Sequence, residues 1–315
     1  MNCSIIIRAY NEASHLPRLL EGISQQTVKD VEVILVDSGS TDATASIAAS
    51  FGAQIAKISS YEFTFGSSLN LGIQIAKHEL IVIASAHVYP VYPDWLECLL
   101  HPFDEKRVAV VYGKQRGTDE SKFSEHQIFR QWFPDDDISS QPSPFCNNAN
   151  AAIRRSVWEQ HPYDETLTGL EDVAWAKWAQ SRGWEVAYAA KAEIIHAHNE
   201  TPRGILNRYR REGMAFKHIF PESHFNIYDL VRLTATNIMS DLWHAARQSL
   251  LLRNLGSIFW FRTMQFWGTY QGYRSSGPLT AHLRQTFYYP RGANAKSPGD
   301  STDRDVQPIR YKQKG

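Results

Sequence analysis

Cysteine is scarce in this 315-residue chain: Cys3, Cys98 and Cys146 are odd in number and form no C-x-x-C pair. That supports neither a disulfide framework nor a zinc cage, and it fits a reducing, cytoplasmic compartment. Net charge is lacking as well, because 33 Lys and Arg residues are balanced by 33 Asp and Glu residues. No global field therefore favours nucleic acid or an anionic membrane surface, no nucleic-acid partner is expected, and an anionic ligand has to be met by local charge. Long apolar runs are missing too. The aromatic stretch "SLLLRNLGSIFWFRTMQFWGTYQGY" is interrupted by Arg253 and Arg262 before it reaches the roughly 20 residues of a membrane span. The opening "MNCSIIIRAYNE" has no basic segment followed by an apolar run, so it does not read as a signal peptide. No G-x-G-x-x-G follows the first apolar segment and no G-x-x-x-x-G-K-[ST] occurs, which argues against a nicotinamide oxidoreductase and a P-loop triphosphatase. Neither an internal repeat nor a coiled-coil heptad is visible.

What is present is 43% hydrophobic residues, enough for a well-buried core. Cys3 to Arg8, Val31 to Asp37, Gln54 to Ile58, Leu80 to Ala84 and Val108 to Tyr112 are short and rich in Ile and Val, the pattern of strands. Between them "ASHLPRLLEGISQQ", "STDATASIAASFG" and "SSLNLGIQIAKH" have helical spacing, the second with Ser40 or Thr41 as N-cap and Gly52 as its stop. Strands joined by crossover helices imply an α/β fold with a mostly parallel sheet, with ligands bound beyond the carboxyl ends of its strands. After about residue 200 the pattern turns helical, and the last stretch is polar with little to bury. We therefore expect an α/β domain over 1–220, a helical region over 221–290 and a flexible tail over 291–315.

The first strand runs into "RAYNEASHL" and the second into "VDSGSTDAT". Ala9, Tyr10, Asn11 and Glu12 thus share neighbouring strand ends with Asp37, Ser38 and Gly39, which suits a nucleotide cradle. An Asp37 carboxylate can accept from a uracil or thymine N3–H or a ribose hydroxyl, and Tyr10 can lie along the base. The plain alternative is a turn followed by a capped helix.

"SIIIRAYNE" followed by "VEVILVDSGSTDAT" resembles the opening of the family 2 glycosyltransferases, which have the GT-A fold. "SSLNLGIQIAKHELIVIASAHVYPVYPDWL" is similar to the family's second segment. "NNANAAIRRSVWEQHPYDETLTGLEDVAWAKWAQSRGWEVAYAAKAEIIHAHN" is similar to its acceptor-side segment. The resemblance runs from residue 3 to about 220. It implies inverting transfer of a hexose or deoxyhexose from a nucleotide-diphosphate donor to a saccharide or lipid-linked saccharide, in assembly of a surface polysaccharide, glycolipid or glycoconjugate. It assigns the base to Asp172 in "GLED" with Glu171 positioning the acceptor or the base, although acids also suit first helical turns because they complement the dipole. Adjacent carboxylates repel, which holds one of them protonated longer. Among the donor-binding residues it places Asn70, Asn150, Ser85, Ala86 and His87.

The family usually carries Asp-x-Asp at the end of "IVIASAHVYP", and here Ser85 and His87 stand in its place. One reading is a Mn²⁺ or Mg²⁺ ion held by His87, the donor phosphates and His198; the other is metal-free catalysis with His87 hydrogen-bonding the departing diphosphate. The missing pair also raises the alternative of a catalytically inactive, carbohydrate-binding relative, against which the retained Glu171 and Asp172 argue. Asn147, Asn148 and Asn150 can bond sugar hydroxyls, and Arg208, Arg210 and Arg211 in "NRYRREG" can meet a pyrophosphate, though turn residues and a solvated helix face explain these nearly as well. The aromatic C-terminal stretch, with Trp243 upstream and Trp260 and Trp267 within it, suits packing on the first domain or on a second subunit of a homodimer. The other reading is contact with the inner face of a membrane.

Overall fold

In the computed structural model, which describes residues 1–197, 200–275, 281–288 and 306–311, the run "NCSIIIRA" forms strand β1 (Asn2–Ala9). Side chains alternate across a strand, so Ile5 and Ile7 join the core on one face of the sheet and Ile6 the core on the other. The chain continues through α1 (Leu16–Ser24), β2 (Asp30–Asp37), α2 (Thr44–Ser50), β3 (Gln54–Lys57), α3 (Phe65–Ile75) and β4 (Leu80–Ser85). Then follow β5 (Val88–Pro90), α4 (Trp95–Leu100), β6 (Val108–Gly117), α5 (Phe123–Trp132), β7 (Asn150–Arg154), α6 (Arg155–Trp158), α7 (Glu171–Ser181) and β8 (Glu185–His196). Leu16, Leu19 and Leu20 of α1 and Trp95 and Leu99 of α4 cover one face of the sheet. Leu69 and Ile73 of α3 and Trp175 and Ala176 of α7 cover the other.

The eight strands lie in the order β3-β2-β1-β4-β7-β6-β8-β5. The parallel pairing expected from the sequence holds among β3, β2, β1 and β4, where crossover helices join the strands, and between β6 and β8. Strand β7 instead runs antiparallel to β4 and β6, and β5 antiparallel to β8. The chain reaches β5 from β4 through Ala86 and His87 alone, with no room for a crossover helix.

Helix α2 begins later than expected. Ser40 and Thr41 do not cap it, because they bond Asn11 instead: the Asn11 amide donates to Ser40 Oγ at 2.9 Å and the Thr41 amide to Asn11 Oδ1 at 2.8 Å. The N-cap position falls on Ala43, which offers no side-chain bond, and Asp42 Oδ1 just before it accepts from the Thr44 amide at 3.0 Å. Gly52, at φ +80°, follows the helix end as expected.

The helical part comprises α8 (Pro202–Ile219), α9 (Ile227–Arg247), α10 (Leu251–Arg274) and α11 (Ala281–Tyr288). Helices α8 and α10 meet at glycine: a Cβ on Gly272 would lie 2.4 Å from the Arg210 carbonyl oxygen. Arg262, which interrupts the aromatic stretch in sequence, is buried in a forked pair with Asp241 at 2.7 and 2.9 Å. Residues 306–311 fall in the stretch expected to be flexible, yet here the Ile309 amide donates to the Val91 carbonyl at 2.9 Å and Tyr311 packs on Tyr89. A polar composition does not register that aromatic partner. Among the described residues no helix is long and apolar enough to cross a membrane.

Candidate active site

Strands β1 and β2 end side by side, with Ala9 in register with Asp37. The loops that follow are bonded to each other rather than to solvent. The Ser38 amide donates to the Ala9 carbonyl at 3.1 Å, the Glu12 amide to Thr44 Oγ1 at 2.8 Å and the Ala13 amide to Asp42 Oδ2 at 3.1 Å. Two residues here have left-handed backbones, Gly39 at φ +96° and Asn11 at φ +55°; asparagine tolerates this better than other residues with a Cβ. Asp37 is 5% exposed and accepts from the Ser40 amide at 3.2 Å, while Tyr10 packs against the cluster of Phe63, Phe287 and Tyr288. Ala9, Tyr10, Asn11, Glu12, Asp37, Ser38 and Gly39 are thus gathered as the sequence implied.

At the end of β4, Ala86 packs into the core while Ser85 and His87 are half-buried, as alternation along an extended segment requires. His87 Nδ1 lies 3.0 Å from Glu12 Oε1, and the His87 ring stacks on His196 with centroids 5.1 Å apart. Burial alone would lower the His87 imidazole, but Glu12 outweighs it and the net direction is upward. Burial would raise Glu12, and His87 in turn holds it below the usual range. Among the described residues no group of three or more His, Cys, Asp or Glu side chains is gathered for an ion. The second expected ligand, His198, lies outside the described residues.

Glu171 and Asp172 open α7, and Leu170 before them is left-handed at φ +55°. A leucine held there stores on the order of 1–2 kcal/mol, and packing of Leu170 beside Leu167 and Ile219 retains it. Both carboxylates are buried. Asp172 accepts from the Asn148 amide at 3.0 Å and the Val173 amide at 2.8 Å. Glu171 accepts from Asn148 Nδ2 at 3.2 Å and pairs with Arg8 at 3.5 Å. Burial, then the neighbouring Glu171, push the Asp172 carboxyl up to about 7.

Arg8 and Asn148 tie the acid pair to the sheet, and the sequence reading missed both roles. The signal for Arg8 was present, since a cation inside "SIIIRA" has no place in a buried strand unless it is paired. Arg8 also lies over the Phe65 ring at 4.4 Å, and Arg211 over the same ring at 4.7 Å.

Other expected contacts are redirected. Asn150 is fully buried: Oδ1 accepts from Trp95, and Nδ2 donates to the Lys114 and Ala192 carbonyls. Asn70 bonds Trp158, Tyr163 and Glu165 with both ends of its amide. Within the protein these amides act as braces: Asn70 makes four hydrogen bonds and Asn150 three. Asn70→Ala should lower stability by about 3 kcal/mol, because it leaves buried donors and acceptors without partners; urea unfolding measures it, and a loss below about 1 kcal/mol counts against the brace. Arg208 pairs with Glu200 and Glu125. Arg210 parts from Arg211 and lines a cavity of about 370 Å³ with Tyr270, Gln271, Arg274 and Ser275.

The family model described as glycosyl transferase family 2 matches residues 4–161, half of the chain, from β1 to just beyond α6. The chain belongs to glycosyl transferase family 2. Its similarity to the O-antigen chain rhamnosyltransferase RfbN of Salmonella typhimurium is 29% identity over 226 residues, 68% of this chain and 72% of that one. WbaN of Salmonella anatum, also named an O-antigen chain rhamnosyltransferase, is 29% identical over 67% of this chain and 71% of its own. Among solved structures, the mannosyltransferase PcManGT from Pyrobaculum calidifontis, in complex with GDP-Man and Mn²⁺, superposes with a TM-score of 0.59 at 18% identity, covering 86% of this chain and 84% of that one. Glucosyl-3-phosphoglycerate synthase from Mycobacterium tuberculosis, in complex with Mn²⁺, UDP and glucosyl-3-phosphoglycerate, does so with a TM-score of 0.53 at 17% identity, covering 69% and 79%. The fold is GT-A, with a helical C-terminal region, and the family 2 chain is a glycosyltransferase.

Proposed function

We propose that this family 2 enzyme moves a deoxyhexose, with inversion, from a nucleotide-diphosphate donor to a saccharide hydroxyl during surface-polysaccharide assembly on the cytoplasmic side. The observation that carries this reading is the buried Glu171–Asp172 pair, held by Asn148 and joined through Arg8 to β1, the strand whose end contributes to the proposed cradle. The rhamnosyltransferase names of the Salmonella relatives support the sugar class and the polysaccharide setting. The GDP-Man and UDP complexes of the structural neighbours support the form of the donor.

In this mechanism Asp172 takes the proton of the acceptor hydroxyl as that oxygen attacks the anomeric carbon. A base near neutrality is matched to the task, since it is ionised at working pH yet basic enough to accept. Glu171, held by Arg8 and Asn148, keeps Asp172 raised and oriented. Asp37 and Tyr10 hold the nucleoside. On the leaving-group side, Glu12 and His87 offer a carboxylate oxygen and an imidazole nitrogen. These two side chains, 3.0 Å apart, would hold a divalent ion together with the donor phosphates, and the imidazole nitrogen would favour Mn²⁺ over the harder Mg²⁺. A bound ion would supply Lewis-acid neutralisation of the diphosphate charge.

A thermal-shift panel of nucleotide-diphosphate sugars tests the donor reading, because a ligand that binds only the native state raises its stability. A donor at about 100 times its Kd adds about 2.7 kcal/mol, a shift of several degrees. Asp37→Ala should weaken both the sugar donor and the free nucleotide diphosphate by roughly tenfold or more, because the lost contact is remote from the sugar. Unchanged affinity for either ligand by titration calorimetry removes Asp37 from the cradle.

A further inference from the structure

Helix α10 buries Ile258, Phe261, Arg262 and Gln265 and leaves the opposite side bare. Leu252, Leu255, Phe259 and Trp267 are 91%, 42%, 47% and 40% exposed. At 100° per residue they fall within one arc of about 120°. Gly256 and Thr263, both exposed, complete that stripe, and Arg274 closes it at the C-terminal end. Helix α9 repeats the arrangement with Tyr228, Val231, Met239 and Trp243, each more than half exposed.

The charges on the two helices are one-sided: five arginines stand against two aspartates. Asp241 is buried on Arg262, and Asp229 caps α9 and pairs with Arg232. Arg247, Arg253 and Arg274 remain on exposed surface without a carboxylate among the described residues. Arg247 lies over the Trp243 ring at 4.7 Å. Trp267 stacks on Tyr270, which lines the Arg210 and Arg274 cavity.

We propose that this α9–α10 face docks on an anionic lipid surface. Large exposed apolar side chains flanked by arginine, with tryptophans among them, match the acyl boundary and the headgroup layer together. A self-associating face would need acids to meet the three uncompensated arginines, and these helices carry none that are not engaged. Arg210 and Arg274 both line the open depression at the C-terminal end of α10, and guanidinium groups suit lipid phosphates.

Sedimentation with phosphatidylcholine vesicles, with and without phosphatidylglycerol, tests this without donor or acceptor and so independently of the transfer reading. The wild-type chain should bind the anionic vesicles roughly 100-fold more tightly than the neutral ones, with a steep loss in salt. Leu252→Glu combined with Phe259→Glu, at exposed positions away from the site, should lose that binding by about tenfold or more. The same variant should keep the wild-type melting temperature. Equal binding to both vesicle types, or none, overturns the proposal. So does a concentration-dependent dimer in sedimentation velocity that this variant abolishes, since a second copy would then be the occupant.

Discussion

Asp172→Asn is expected to lower turnover by at least about 100-fold while leaving the donor thermal shift unchanged. The side chain keeps its shape and one acceptor for the amides of Asn148 and Val173, but it no longer takes a proton. Because burial and Glu171 raise Asp172 to about 7, wild-type transfer should rise with pH to a midpoint near that value and then level. Arg8 works against the rise, so Arg8→Gln should move the midpoint upward. Stability runs the other way. The folded chain holds this proton above pH 3.8, where the unfolded chain releases it, so the contribution of Asp172 to stability is full below 3.8 and lost as pH rises through about 7. The Asn variant gives up one of the two amide bonds at every pH, so its melting temperature relative to the wild type should be highest at pH 8 and fall toward pH 4. Near-normal transfer by the variant removes Asp172 as the base.

His87→Ala is expected to cost about 100-fold in turnover, the scale of losing one group that stabilises developing charge. The half-buried ring leaves the core on Ala86 intact, so the fold should survive. A chelator should abolish wild-type transfer, with Mn²⁺ restoring it more fully than Mg²⁺. Full activity in chelator removes the ion from the mechanism and leaves His87 acting on the diphosphate directly. Full activity of the alanine variant removes His87 altogether.

Legibility in the sequence followed the reach of each signal. Strands β1, β2 and β4 were readable because dense Ile and Val runs report local burial on both faces, and the side-by-side ends of β1 and β2 followed from them. The antiparallel placement of β5 and β7 was not readable, because it depends on pairing with β8 and with β4 and β6, far along the chain. Side-chain identity marked polar residues without telling which partners they would find. Asn70 and Asn150 look like Asn148 in sequence, yet the first two brace the core and the third holds the acid pair. Ser40 and Thr41 look like helix caps until Asn11, in the neighbouring loop, takes them. In each of these cases a long-range partner overrode the local preference.

The most direct measurement is proton NMR of the anomeric centre while the enzyme, with Mn²⁺, acts on nucleotide-diphosphate rhamnose and an oligosaccharide acceptor. The account expects a glycoside of configuration opposite to the donor, formed by the wild type and at least about 100-fold more slowly by Asp172→Asn. A product that retains the donor configuration would contradict it, and so would transfer at equal rates by the two proteins.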